Sequence, residues 1–251
     1  MKDLDSKVLV ICGSATGIGA ATVRRLHAEG ARVVAADINL EGVQGLVESL
    51  GDERALALWY DQADESSIQA MIEAATQHFG QLDGLLANAA NLTVILEDGD
   101  LLDNDARIWK ETLDVNVIGV ANLFKAALPH LQDKGGVLLA TSSDAASMGE
   151  PTRVAYAASK AAINAIVRHV AKRWGKDNIR ANVVSPGLIM TEQLVAAFDE
   201  ATSEAMLTHT PSPRHGTPED IAAAVAYLFS SDADWINGQV WHVNGGIFLS
   251  N

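Results

Sequence analysis

The chain of 251 residues contains one cysteine, Cys12, so no disulfide can form within it. That suits a reducing compartment and leaves stability to a buried core. No stretch approaches the ~20 apolar residues of a membrane span. The first residues, Met-Lys-Asp-Leu-Asp-Ser-Lys, lack an apolar signal core. The expectation is a cytoplasmic protein without a membrane partner. Basic charge is scarce: 18 Lys and Arg stand against 32 Asp and Glu, a net charge of −14. Such a surface repels phosphate backbones, and no arginine-rich run offsets it, which argues against nucleic acid. The same charge disfavours an acidic carrier protein as a docking partner. Seven histidines are scattered, with no His-x-x-x-His pair and no cysteine cluster, so no metal site is expected. His169 reads as a surface or interface residue. Linkers, repeats and low-complexity blocks are also missing, and 48 % of the residues are hydrophobic. One domain spanning residues 1–251 is expected.

What the chain does carry is alternation. Apolar runs suited to buried parallel strands lie at 7–12, 32–36, 55–60, 84–87, 136–141, 179–185 and 239–243. Helical patterns lie between them at 17–29, 40–49, 65–78, about 106–131, 154–174 and 218–229. This βαβ series predicts an α/β fold, a single Rossmann-type doubly wound parallel sheet of about seven strands with helices on both faces. Residues 188–217 are the least regular stretch.

Two motifs carry chemistry. The first strand runs into Gly13-Ser14-Ala15-Thr16-Gly17-Ile18-Gly19 and then a helix. Strand, glycine turn and helix N-terminus together bring backbone N–H groups against a pyrophosphate. The second strand ends at Asp37, eighteen residues after Gly19. A carboxylate there accepts hydrogen bonds from both hydroxyls of an adenosine ribose and repels a 2′-phosphate, favouring NAD over NADP. The second motif is Tyr156-Ala-Ala-Ser-Lys160, preceded by Ser142-Ser143. Tyrosine and lysine four apart share a helix face, and an ammonium beside a phenol favours the phenolate. Such a phenol can exchange a proton with a substrate oxygen. Taken alone, Tyr-x-x-x-Lys also fits a packed tyrosine beside a surface lysine.

Together these residues resemble the short-chain dehydrogenase/reductase family, in its form of about this length. The resemblance spans essentially the whole chain and also rests on Asp61, Asn88-Ala89-Ala90, Asn116, Pro186-Gly187, Asn237-Gly238-Gln239 and Asn244-Gly245-Gly246. It implies hydride transfer between NAD(H) and an alcohol or ketone carbon. Tyr156 would be the acid/base, Ser143 the hydrogen-bonding partner of the substrate oxygen, and Lys160 the residue that lowers the tyrosine pKa. Asn116 would join a proton relay with a water held between it and Lys160; a solvent-facing asparagine is the other reading. Ser143 is preferred to Ser142 because thirteen residues separate it from Tyr156, the separation the family uses. The resemblance further implies cofactor contacts at Gly13, Ser14, Thr16, Gly17, Ile18, Gly19, Asp37, Ile38, Asp61, Gln62, Asn88, Ala89, Tyr156, Lys160, Pro186, Gly187, Ile189 and Thr191. Asn88 also reads as a turn former, and Thr191 as a helix N-cap. A homotetramer is implied through the helices at about 106–131 and 154–174, with Val120, Leu123, Phe124, Ala161, Ala165 and Val170 as contacts.

The chain departs from the family pattern at four places. Cys12 stands for threonine, Ala87-Asn88-Ala89-Ala90 for Asn-Asn-Ala-Gly, and Asn244 for aspartate, while Asp144 adds a charge after Ser143. The segment 188–217 is expected to cover the substrate, and Leu194, Val195, Phe198, Met206 and Leu207 suggest an apolar secondary alcohol or ordinary lid packing. Arg153 and Arg214 are the nearby cations available to an anionic group. Two alternatives stay open: an NADP-dependent ketoreductase resembling 3-oxoacyl reductases, and a non-catalytic dinucleotide-binding module.

Overall fold

The computed structural model describes residues 1–51 and 53–249. Seven strands form its centre: β1 (Val8–Cys12), β2 (Arg32–Asp37), β3 (Ala55–Trp59), β4 (Gly84–Ala87), β5 (Gly136–Thr141), β6 (Ile179–Pro186) and β7 (Val240–Val243). All pair in parallel, in the order β3-β2-β1-β4-β5-β6-β7. Side chains alternate along each strand and so feed two cores. Val10 and Cys12 join one, Leu9 and Ile11 the other.

The first core packs beneath α3 (Glu65–Phe79), α5 (Val120–Leu131) and α7 (Val154–Trp174), through Ile68, Leu123 and Val167 among others. The second packs beneath α1 (Gly17–Ala28), α2 (Leu40–Leu50) and α10 (Pro218–Phe229), through Leu26, Leu46 and Phe229. Burial on both faces explains why the strands read as unbroken apolar runs. The strand order reverses between β1 and β4, which opens a crevice beyond their carboxyl ends, where ligands bind in open sheets of this kind.

Four features differ from the sequence reading. The long helix expected at about 106–131 is α4 (Ala106–Leu113), then a π-helical segment at Asp114–Gly119, then α5. The irregular stretch 188–217 contains α8 (Glu192–Ala197) and α9 (Glu200–Leu207), neither with a buried residue. On α8 only Leu194 and Phe198 turn inward, while Val195 is 59 % exposed. A short α6 (Ala145–Met148) follows β5. Finally, of the residues expected at a subunit interface, Val120 and Leu123 are fully buried, while Phe124 and Val170 are nearly so and line an apolar groove beside α7. The outer face of α7 presents Ala161, Ala165 and His169. Leu128 and Ile166 also help to line the groove.

Candidate active site

The cofactor side is built from β1 and the turn after it. Gly13 has φ +76, and its N–H donates to Ala36 O at 2.8 Å. A Cβ there would stand 2.5 Å from the backbone N of Ala89, and one at Gly19 would run into the carbonyl of Gly13. Only glycine lets the turn close this tightly against the β4 loop. Thr16 caps α1 without a side-chain bond, and the first turn of α1 holds no acidic residue. The helix N-terminus is therefore free to receive an anion. Thr191 Cγ2 lies where a side chain on Gly17 would reach, within 3.2 Å, and Thr191 also caps α8 by accepting from Leu194 N at 3.4 Å. Both readings of this threonine are thus compatible with its position.

Asp37 accepts from Ala15 N at 3.0 Å and from Asn39 N at 2.9 Å. These bonds fix the carboxylate beside the glycine turn. Ile38 next to it is 63 % exposed. Asp61 accepts from Ala63 N at 2.8 Å in a local turn. Asn88 ties two strands together: it donates to Gly13 O and accepts from Thr141 Oγ1, each at 2.9 Å. The donor set, the closed turn and the acid-free helix start suit a dinucleotide.

The Gln62 side chain serves the fold. It is 5 % exposed and engaged inward. It donates to Ala89 O at 3.1 Å and Val115 O at 2.9 Å, and accepts from Tyr60 OH at 3.0 Å. Its amide therefore braces the cofactor loop against the π-helical segment and does not face a ligand.

The second half of the site lies across the crevice. Ser142 and Ser143 point opposite ways, as alternation requires. The Ser142 hydroxyl donates to Lys160 O at 3.1 Å and is buried, whereas Ser143 Oγ accepts from Ala145 N at 3.2 Å and lies on the side of Tyr156, whose phenol pKa it lowers. Lys160 Nζ donates to Thr141 O at 2.9 Å and lies 5.6 Å from the centre of the Tyr156 ring. Hydrogen bonds thus run from Lys160 through Thr141 and Asn88 to Gly13, linking the lysine to the glycine turn.

The protonation balance differs from expectation. Burial raises the Tyr156 phenol above its ordinary value; the Ser143 hydrogen bond and the Arg153 charge pull it down, and Glu150 pushes it up. Burial lowers Lys160 to about 8. The chain alone therefore does not produce the lowered phenol expected of the pair, because desolvation outweighs the lowering by Ser143 and Arg153.

Asn116 sits in the π-helical segment and is fully buried, which excludes the solvent-facing reading. Its Oδ1 accepts from Asn91 N at 2.8 Å and its Nδ2 donates to Ser159 Oγ at 3.1 Å. π segments widen a helix by one residue per turn and are frequent at functional sites.

One acid escaped the sequence reading, and a second takes a place the sequence did not show. Asp98, 3 % exposed, accepts from Ala155 N at 3.1 Å and Tyr156 N at 2.8 Å. It caps α7 from another loop, since Arg153 at the helix start is left-handed and offers no cap. Asp144, expected at a pocket mouth, is instead 4 % exposed and bonded by Ser185, His242 and Asn244. Nothing local marks the role of either acid, because the helix N–H groups that Asp98 caps and the side chains that meet Asp144 lie 41 to 100 residues away. Of the two arginines near the pocket, Arg153 pairs with Glu150 and Arg214 with Asp220 at 2.7 Å. Among the described residues there is no cluster of three metal-ligating side chains and no helix long and apolar enough to cross a membrane.

A family model described as "Enoyl-(Acyl carrier protein) reductase" matches residues 13–248. The chain is 37 % identical to a "Probable short-chain type dehydrogenase/reductase" of Bradyrhizobium diazoefficiens, over 98 % of this chain and 89 % of that protein. It is 34 % identical to the D-threitol dehydrogenase of Mycolicibacterium smegmatis, over 97 % of this chain and 93 % of that one. A solved 7α-hydroxysteroid dehydrogenase, complexed with NADH and 7-oxo glycochenodeoxycholic acid, shares 33 % identity and a TM-score of 0.89. The match covers 97 % of this chain and 94 % of that one. The chain belongs to the short-chain dehydrogenase/reductase family. It transfers hydride between a nicotinamide dinucleotide and a carbon bearing a secondary alcohol or ketone oxygen.

Proposed function

We propose an NAD-dependent dehydrogenase acting on an uncharged, largely apolar secondary alcohol, with Tyr156 as the acid/base. The observation that carries the chemistry is Lys160 Nζ, held on Thr141 O, 5.6 Å from the centre of the Tyr156 ring on the side of Ser143. A bound oxidised nicotinamide ring supplies the hydride acceptor and a positive charge beside the phenol. The protein holds the carbinol oxygen between Tyr156 and Ser143. Tyr156 takes its proton, and the Ser143 hydroxyl stabilises charge developing on the oxygen. Lys160 holds the nicotinamide ribose hydroxyls and passes the proton on through the relay that includes Asn116.

NAD preference is supported by Asp37, whose carboxylate is held beside the glycine turn and would repel a 2′-phosphate bound there. The substrate reading is supported by the ion pairs of Arg153 and Arg214, which leave neither free for an anionic substrate without breaking a pair. An acyl-carrier thioester, the acidic substrate class named in the family model's description, fits a net charge of −14 poorly. We assign a cytoplasmic homotetramer whose contacts include the outer face of α7.

Absorbance of the reduced nicotinamide, followed over a panel of secondary alcohols, steroids and aryl carbinols with NAD⁺, tests the reading. Turnover is expected with NAD⁺, and Tyr156→Phe should remove it. Asp37→Ser should raise use of NADP⁺ relative to NAD⁺ by about ten-fold or more through loss of the ribose contacts and of the repulsion. Full turnover of the Tyr156→Phe enzyme would overturn the acid/base assignment.

A further inference from the structure

The Asp144 cluster lies directly behind the Ser143 loop, and the proposed chemistry does not use it. The carboxylate is 4 % exposed and meets three side-chain donors: Ser185 Oγ at 3.0 Å, His242 Nδ1 at 2.7 Å and Asn244 Nδ2 at 2.6 Å. Each comes from a different place: the end of β6, β7, and the turn after β7. Asn244 also donates to Phe248 O and accepts from Gly246 N, each at 2.9 Å. Its Cβ stands 2.9 Å from where a side chain on Gly187 would begin. The His242 ring packs 4.9 Å from the Phe248 ring.

Donor chemistry makes positions 144 and 244 a matched pair. A carboxylate at 144 accepts from every donor that converges on it, whereas an amide would turn its own NH₂ toward one of them and leave that donor unsatisfied. An aspartate at 244 would place two carboxylates in contact. Asp144 and Asn244, each a departure from the family pattern, therefore belong to one arrangement.

We propose that Asp144 is a positioning residue. Through His242 and Asn244 it fixes the Ser143 loop against the Pro186–Gly187 loop and the C-terminal turn, so that the serine hydroxyl meets the substrate oxygen. The inference rests on the proposed roles of Ser143 and Tyr156. It acts through Ser143, which gives it a signature that a simple loss of packing does not share.

The test uses the full chain with NAD⁺ and the best alcohol from the panel. Asp144→Asn is expected to lower kcat about ten- to hundred-fold, as a misplaced reacting group does. The KM for NAD⁺ should change much less than kcat, because the glycine turn is untouched and only the Pro186–Gly187 loop loses a support. In a cycle with Ser143→Ala, adding Asp144→Asn should cost little further, because the serine it positions is already gone. His242 gives opposite predictions for two variants. His242→Asn keeps a donor at the Nδ1 position and should stay active, while His242→Phe keeps the ring but not the donor and should fall with Asp144→Asn. Should Asp144→Asn fail to fold, this pair decides alone. The proposal is overturned by unchanged kcat in Asp144→Asn, by multiplicative effects in the cycle, or by an active His242→Phe beside an inactive His242→Asn. Tyr156→Phe is assayed alongside. Its full turnover would overturn the proposed function itself, whereas its inactivity together with an unimpaired Asp144→Asn would overturn the positioning role only.

Discussion

Lys160 is the residue whose chemistry and stability pull in opposite directions. Burial holds its pKa at about 8 in the folded chain, against about 10.4 for an unfolded lysine. Between those values the unfolded chain binds the extra proton, so stability from this group rises as pH climbs through the window. It is lowest below pH about 8, where the ammonium is charged and desolvated. Lys160→Met should therefore raise the unfolding midpoint at pH 7, by the equivalent of about 1–3 kcal/mol, while abolishing turnover. Calorimetry on the cofactor-free protein checks this, and a lowered midpoint would contradict it. Tyr156 gives a pH prediction of its own. Its phenol is raised by burial, and oxidation needs the deprotonated form. Alcohol oxidation should accelerate as pH rises, and ketone reduction should slow, with Tyr156→Phe removing both trends. The residues proposed to react were legible in the sequence because Tyr156 and Lys160 sit one helical turn apart and Ser143 lies at a fixed distance along the chain. The direction of the phenol's shift was not, since burial comes from packing that no spacing encodes.

The helix that carries Tyr156 starts without a cap of its own. Arg153 has φ 62, and the first turn of α7 contains no acidic residue. Asp98 supplies the missing acceptor from the loop after β4, and Asn104 Nδ2 donates to it at 2.6 Å. Asp98→Ala should fray the first turn, costing about 1–2 kcal/mol. Faster amide exchange at Ala155 and Tyr156, with a fall in kcat, is the expected readout, and unchanged exchange there would refute the capping role. The π-helical segment shows the same dependence on distant partners. Its widened backbone is braced by Gln62 Nε2 on Val115 O, and a side chain at Gly119 would come within 2.5 Å of Gln62. Gln62→Leu leaves two buried carbonyls unpaired and should lower stability by about 1–3 kcal/mol, read as a drop in the unfolding midpoint. Strands and helices were read almost to the residue, because burial on both faces writes the sheet as apolar runs and each helix as a 3.6-residue stripe. The break at Asp114–Gly119 was invisible because the residues that hold it, Gln62, Asn91 and Ser159, lie far away in sequence. Of the two lid helices, α8 was announced by the Thr191 cap, whereas α9 was missed because it buries no apolar face strong enough to show a period.

At the scale of the molecule, net charge and the α7 surface oppose each other. Each chain carries −14, so copies repel, while Ala161 and Ala165 leave a low, apolar surface on which a second backbone can approach closely. Salt screens the repulsion with a Debye length of about 10 Å at 0.1 M and leaves apolar burial intact. Assembly should thus tighten between about 20 mM and 300 mM salt, the reverse of an interface held by opposite charges. Ala165→Arg tests the surface directly, since a long side chain there stands between the two helices. Sedimentation of that variant should show a species smaller than the parent assembly, with a lower unfolding midpoint, because α7 loses its outer support. The same helix holds Tyr156, Ser159 and Lys160 on its inner face, so loosening it from outside should also lower kcat at protein concentrations where the parent stays assembled. A variant that kept the parent's size and rate would mean that copies meet through a different surface, and that the charge of the whole chain, not α7, sets its assembly.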